Sequence, residues 1–345
     1  MSTGFQPGSF NGHGAIVTGP DGNLWFTECL NEANPGFGRI GKITTSGVLT
    51  EYPLTGGVER CPSQIATGPD GAMWFTEYAW INANPPPALG RIDMTGKITE
   101  YPLPASDVNG DSIVRGSNGN LWYDAQGVSS GSAIREYSTL VHAVIDSVII
   151  PPPMVPGTLV VNPVDGSILA GTLVQGGGLS DILQVVPGTS GTYVVKYIPS
   201  PANSGDWSNL AVGRDGNIYV QFVPSDASGS PAGLAQMNES TYNVTLITEP
   251  QFTHAFGNQV RTHFRGPIIY GPDANIYVWD EGQQDDFIGL AALTKTGSLL
   301  AQQDDGSGFH DVADGITIGQ DGKIWIATMN QLASEGSIFQ LTPVH

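Results

Sequence analysis

One four-residue turn repeats through the chain and constrains its fold more than any other feature. Gly19-Pro-Asp-Gly22 recurs as Gly68-Pro-Asp-Gly71 and Gly116-Ser-Asn-Gly119. It returns in altered form as Pro163-Val-Asp-Gly166, Gly213-Arg-Asp-Gly216, Gly271-Pro-Asp-Ala274 and Gly319-Gln-Asp-Gly322. The last residues of these turns are separated by 49, 48, 47, 50, 58 and 48 positions, so seven copies at a near-constant period fill the chain. A period in this range marks a repeat architecture, in which each copy is one supersecondary unit that buries its apolar face against its neighbours.

Each turn lies between two strand patterns. A short apolar stretch precedes it, such as Ala15-Ile-Val17 or Gly315-Ile-Thr-Ile318. A large side chain follows three residues later: Trp25, Trp74, Trp122, Leu169, Tyr219, Tyr277 and Trp325. A large residue at one register implies one packing slot repeated between neighbouring sheets. The first two copies continue with Gly38-Arg-Ile40 and Gly90-Arg-Ile92, then a turn, then Thr50-Glu-Tyr-Pro-Leu54 and Thr99-Glu-Tyr-Pro-Leu103. Four short strands per copy make a propeller blade, and helical periodicity is absent. The expectation is therefore an all-β, seven-bladed propeller of four-stranded antiparallel blades in a single domain. Its blades fall at about 14–54, 63–103, 111–148, 157–198, 207–248, 265–303 and 313–345. The last copy lacks a fourth strand, so residues 3–10 are expected to supply it and close the ring, which removes the exposed sheet edges.

The 46 Gly and 25 Pro suit such a turn-rich protein. The net charge of −19, from 32 acidic and 13 basic residues, repels phosphate backbones and anionic lipid, so neither nucleic acid nor membrane is expected as a partner. A monomer acting on a small molecule or oligosaccharide is the expected state. The opening residues, Met1-Ser-Thr-Gly-Phe-Gln-Pro-Gly8, have neither the basic segment nor the apolar stretch of an export signal. An extracellular location is still expected, with the signal already removed. Asn238-Glu-Ser240 and Asn243-Val-Thr245 would be glycosylation sequons in a secreted eukaryotic protein. Cys29 and Cys61, the only cysteines, fit either one disulfide or two buried thiols.

The string Gly-Pro-Asp-Gly-Asn-Leu-Trp-Phe-Thr-Glu over 19–28, followed by Gly-Arg-Ile (38–40) and Thr-Glu-Tyr-Pro-Leu (50–54), resembles the virginiamycin B lyase (streptogramin lyase) family, and 68–103 repeats the pattern. The resemblance implies a seven-bladed propeller and magnesium-dependent opening of a cyclic depsipeptide by elimination, without water as nucleophile. In that family a catalytic His starts an inner strand eight residues before the last Gly of the turn. Here Gly14, Ser63, Asp111, Thr158, Ser208, Gly266 and Asp314 hold those positions, and none is His. The family's catalytic Glu follows a Trp-Phe strand; Glu28 and Glu77 match it, Asp280 does so in blade six, and blade seven has Thr328.

The remaining candidates gather in the loops at the blade ends opposite the turns, where propellers vary sequence without disturbing the blades. The longest such loop, about 249–266, contains His254, His263, Arg261 and Arg265 together with three Phe. His13, His310 and Arg60 fall in similar loops. His263, His254 and His310 are the candidate bases and acids, because imidazole titrates near neutral pH. Arg60, Arg261 and Arg265, with Glu28, Glu77 and Asp314, are the candidate substrate-binding residues; a guanidinium can hold a carboxylate or enolate in two parallel bonds. The clustered carboxylates, Asp111 and Asp280 among them, point to a divalent ion, Mg2+ or Ca2+, as one means of relieving their repulsion. Three functions remain open. One is a lyase acting by β-elimination on a lactone, a depsipeptide or a uronate glycoside. The others are a non-catalytic carbohydrate- or peptide-binding propeller, and a metal-dependent lactone hydrolase.

Overall fold

The computed structural model describes residues 3–4, 14–29, 38–54, 61–78, 87–107, 110, 112–127, 131–174, 180–187, 192–199, 206–223, 233–247, 266–280, 289–304, 311–330 and 335–343. Among them there are 28 strands and no helix. The fold is an all-β, seven-bladed propeller of four-stranded antiparallel blades.

The first strand, β1 (Thr3–Gly4), stands apart from the blade that follows it. Blade one is β2 (Ile16–Thr18), β3 (Leu24–Glu28), β4 (Arg39–Ile43) and β5 (Leu49–Pro53); blade two is β6 (Cys61–Thr67), β7 (Met73–Tyr78), β8 (Ala88–Ile92) and β9 (Ile98–Pro102). Blade three is β10 (Ile113–Arg115), β11 (Leu121–Gly127), β12 (Gly131–Ser138) and β13 (Ala143–Ile150). Blade four is β14 (Met154–Val161), β15 (Ile168–Val174), β16 (Asp181–Pro187) and β17 (Tyr193–Pro199). Blade five is β18 (Asp206–Val212), β19 (Asn217–Val223), β20 (Gly233–Asn238) and β21 (Val244–Ile247). Blade six is β22 (Ile268–Tyr270), β23 (Ile276–Asp280), β24 (Gly289–Leu293) and β25 (Leu299–Asp304). Blade seven has only three consecutive strands, β26 (Asp311–Ile318), β27 (Ile324–Asn330) and β28 (Glu335–Leu341). Its fourth is β1, with Thr3 opposite Ile338 and Gly4 opposite Ser337, as the short last copy required.

The chain divides into two compact units, one of residues 1–152 and 314–341 and the other of 153–313 and 342–345. In the first unit the large residues after the first two turns pack on the next blade. Trp25 meets Ile65, Met73 and Phe75, and Trp74 meets Leu121 and Tyr123. The second unit does the same, with Leu169 against Trp207 and Ile218, and Tyr219 against Ile276 and Val278. At these interfaces the repeated large residue thus fills the same slot.

The turn explains its own recurrence. Its acid accepts a hydrogen bond from the ring donor four residues on: Trp25 Nε1 to Asp21 (2.9 Å), Trp74 Nε1 to Asp70 (2.9 Å), Trp325 Nε1 to Asp321 (3.1 Å). Trp122 donates to Asn118 at 3.4 Å, and the Tyr219 and Tyr277 hydroxyls donate to Asp215 and Asp273 at 2.9 and 2.6 Å. Blade four has Leu169 and no ring donor; there Asp165 accepts instead from the Ser167 hydroxyl and Gln184 Nε2. The buried polar edge of each ring is satisfied in this way without a water. The first Gly of the turn is needed because a Cβ on Gly19 or Gly68 would collide with the indole. The last position is left-handed in every blade, with φ between +65° and +79°. Glycine holds it six times, and Ala274 holds it in blade six.

Register corrects one reading of the sequence. Phe26 lies opposite Gly41 and Phe75 opposite Gly90, so the counterpart of Gly90-Arg-Ile92 is Gly41-Lys-Ile43 rather than Gly38-Arg-Ile40. Each of these glycines makes room for the facing Phe ring, which a Cβ would strike.

Cys29 and Cys61 form a disulfide with Cα atoms 4.9 Å apart, joining the end of β3 to the start of β6. It closes a loop across 32 residues. Converting both cysteines to serine should lower the free energy of unfolding by about 3–4 kcal/mol, read from urea denaturation. In the same assay Ala274→Gly should stabilise the protein by about 0.5–1 kcal/mol, because it relieves a left-handed alanine. Gly71→Ala, where a Cβ meets nothing within 4 Å, should cost about 1 kcal/mol for conformational reasons alone.

Candidate functional site

The blade ends opposite the turns begin at the last residues of each second strand, where the candidate acids lie. Glu28 ends β3 and is only 2 % exposed, and Glu77 in β7 is 3 % exposed. Both carboxyls are therefore shut off from solvent. Glu28 lies opposite Arg39 in the ladder and Arg39 opposite Pro53, and Glu51, two residues along β5 from Pro53 and so on the same face, lies opposite Gly41. Arg39 Nη1 stands 3.3 Å from Glu51 Oε2. Burial first, then the nearby charge of Glu51, pushes the Glu28 carboxyl up to about 8 against the opposing pull of Arg39. Blade two has Ala88 where blade one has Arg39, so the two copies differ at this point.

A second buried charge group ties the connector of blades two and three. Asp107, 2 % exposed, accepts from Arg135 Nη2 at 2.7 Å, from Arg135 Nε at 3.1 Å and from the Tyr123 hydroxyl at 2.7 Å. Arg135 also donates to Ser147 Oγ at 2.7 Å. Burial, then the Asp107 charge, lifts the Tyr123 hydroxyl far above its ordinary range, so it stays a donor. This group fixes the chain's entry into blade three.

The positions that match the family's catalytic His have a structural use here. β-bulges interrupt the inner strands at this register: between Pro62 and Ile65, between Pro156 and Leu159, and between Trp207 and Leu210. The Ser63 carbonyl accepts the Thr27 hydroxyl at 2.6 Å across blades one and two. The Thr158 hydroxyl donates to Asn209 Oδ1 at 3.2 Å, and Asn209 Nδ2 reaches the Gly266 carbonyl at 3.1 Å. This row thus joins neighbouring blades.

His13, His254, His263, His310, Arg60, Arg261, Arg265 and Asp111 lie outside the described residues. Asp280 and Asp314 are described in their strands but not in their side chains. The sole histidine among the described residues is His142, which stacks on Tyr101 at 4.3 Å in the β12–β13 turn. Among the described residues no three His, Cys, Asp or Glu side chains gather as metal ligands. The described carboxylates thus do not compose a site for a divalent ion. Sequence reasoning placed Glu28 at the substrate wall and missed its pairing with Glu51 across β4. Both residues lie in repeated motifs, Trp-Phe-Thr-Glu and Thr-Glu-Tyr-Pro-Leu, but register alone brings them together. Asp107→Ala, which strands Arg135 and Tyr123, should cost about 3–5 kcal/mol of stability in urea denaturation.

The Virginiamycin B lyase family model matches residues 6–142. Among solved structures, a streptogramin B lyase has a TM-score of 0.69 at 20% identity, with 99% of this chain and 97% of that chain covered. The virginiamycin B lyase of Staphylococcus aureus has a TM-score of 0.67 at 19% identity, covering 100% and 99%. The periplasmic gluconolactonase of Pseudomonas aeruginosa is similar at a TM-score of 0.56 and 13% identity, covering 92% and 95%. At these identities the structures speak for the fold alone. No curated protein matches the chain. The chain is a virginiamycin B lyase-like seven-bladed β-propeller, with its sequence match in residues 6–142 and its likeness in fold over nearly the whole length.

Proposed function

We propose that the protein is a lyase that acts by β-elimination at the blade ends opposite the turns, on a lactone or depsipeptide or on a uronate glycoside. The observation that supports this reading is the family match over residues 6–142, which spans the two blades that best keep the repeat. His263 takes the proton next to the substrate carbonyl, with His254 beside it in the same loop. Arg261 and Arg265, joined by Arg60, hold the carboxylate or enolate that forms. His310 returns a proton to the leaving oxygen as the C–O bond breaks and a carbon–carbon double bond forms. Asp314 lines the wall, and the buried Glu28 and Glu77 support it from below. No step is assigned to a metal ion; Asp111 and Asp280 are the residues to substitute if Mg2+ or Ca2+ proves necessary. The Cys29–Cys61 disulfide favours an extracellular location, and the net charge of −19 favours a small-molecule partner for a monomer.

A lactone hydrolase is the second reading, favoured by the likeness in fold to a gluconolactonase. Product mass separates the two. Elimination opens a cyclic substrate without change of mass, whereas hydrolysis adds one water. His263→Ala and His310→Ala should each lower turnover roughly 100- to 10,000-fold, with the tryptophan fluorescence of the fold unchanged. Full activity in both variants would refute the assignment. Binding without turnover in the unaltered protein would leave a carbohydrate- or peptide-binding propeller.

A further inference from the structure

Blade one carries two acids and one base at the blade end: Glu28 is buried, at 2 % exposed, while Arg39 and Glu51 keep 26 % and 23 % of their side chains exposed. The Oε1 atoms of Glu28 and of Glu51 are both buried without a hydrogen-bond partner. Arg39 is engaged with Glu51 Oε2. Side chains alternate along a strand, so Phe26 and Glu28 share one face of β3 while Trp25 and Cys29 share the other. Phe26 packs on Trp325, Ala327 and Ile338 of blade seven, whereas Trp25 packs on blade two and Cys29 is bonded to it. The acid pair therefore faces blade seven, the blade that β1 completes.

The other charged and titratable groups near this face are few. On β4, Lys42 lies on the opposite face, with its Nζ 5.1 Å over the Trp25 ring. On β5, Tyr52 also lies there, stacked on Trp25 at 5.8 Å. Neither β2, β6 nor β27 carries an acid, a base or a free thiol, and β1 is Thr3–Gly4. On β28 the one titratable residue is Glu335, and β26, which packs on blade one at Gly315, carries Asp311 and Asp314; the side chains of all three lie outside the described set. The Arg39 guanidinium is engaged with the half-buried Glu51, which leaves the buried Glu28 carboxyl without a counter-charge of its own, and a lone buried charge is costly. A proton balances the group without adding atoms.

We propose that Glu28 and Glu51 share one proton and form a pH-sensitive latch between blade one and blade seven. With the proton in place, the Glu28 acid donates to Glu51 and the faces close. When it leaves, a buried and a half-buried carboxylate repel each other and the junction loosens. The same direction follows from the raised Glu28 carboxyl, near 8 against an ordinary 4.5. A carboxyl raised on folding gives stability that is full below about 4.5 and lost as pH climbs through 8. The latch does not depend on the reaction proposed above.

The test is urea unfolding of the full chain from pH 5 to pH 8.5, together with the infrared spectrum. The unfolding equilibrium constant of the unaltered protein should rise by up to tenfold per pH unit through this window, the slope for one proton. Glu28→Gln, whose amide supplies a permanent donor, should flatten that slope; a slope equal to that of the unaltered protein would overturn the latch. Should that variant fail to fold, the unaltered protein still decides. A protonated-carboxyl carbonyl band must be present at pH 7 and fade by pH 9, and its absence at pH 7 refutes the shared proton. Added Ca2+ should leave the unfolding midpoint at pH 8.5 unmoved. A rise that Glu28→Gln abolishes would mean that the pair holds a cation instead.

Discussion

The hydrogen bond from an aromatic ring back to the acid of the preceding turn is the interaction on which the blades depend. A tryptophan or tyrosine brings a large apolar area to the blade interface, but it also brings a polar edge that must not be buried alone. The acid four residues earlier satisfies that edge and also orders the turn, since Asp21, Asp70 and Asp273 accept backbone N–H groups as well. Burial works against the ionised acids at Asp21, Asp70 and Asp215. Bonds from Trp25, Trp74 and Tyr219 nevertheless hold them below the usual carboxylate range. These turn acids are therefore structural. Blade four shows the dependence by exception: with Leu169 in the slot, the acid turns to Ser167 and Gln184, and the turn loses its first Gly.

The same logic separates what could be read in the sequence from what could not. The blade count was legible because the turn needs Gly, an acid and a ring donor at fixed spacing, and those letters are visible. The outer strand of blade seven was legible because the last copy is short. The disulfide was left open, since two cysteines 32 residues apart say nothing of whether their Cα atoms approach to 4.9 Å. The Glu28–Glu51 pair was hidden for a different reason. Its members lie 23 positions apart and meet only through the exact stagger of β3, β4 and β5, and the Gly-Arg-Ile motif suggested the wrong stagger. Asp107 gave no local signal at all, because its partners Tyr123 and Arg135 come from the following blade.

The row that aligns with the family's catalytic His serves the architecture of this chain in several blades. Ser63, Thr158 and Gly266 use the position to tie one blade to the next, partly through main-chain carbonyls that any residue supplies. Bulges at Ser63, Thr158 and Ser208 re-aim the chain locally, which is a common arrangement beside functional sites. A register that serves as a seam in three blades is free to carry a reactive group in another, because the neighbouring seams maintain the sheet positions.

The pairing of β1 with β28 has a consequence for how the molecule is made. Blade seven takes one strand from residues 3–4 and three from residues 311–341. A ribosome delivers the first of these more than 300 residues before the last, so the sheet has no complete partner set until synthesis has passed β28. Six blades can form in order as their strands emerge, each from contacts close in sequence. The seventh waits on the longest-range contact in the chain, and the closing step of folding is thus set by translation rather than by local collapse.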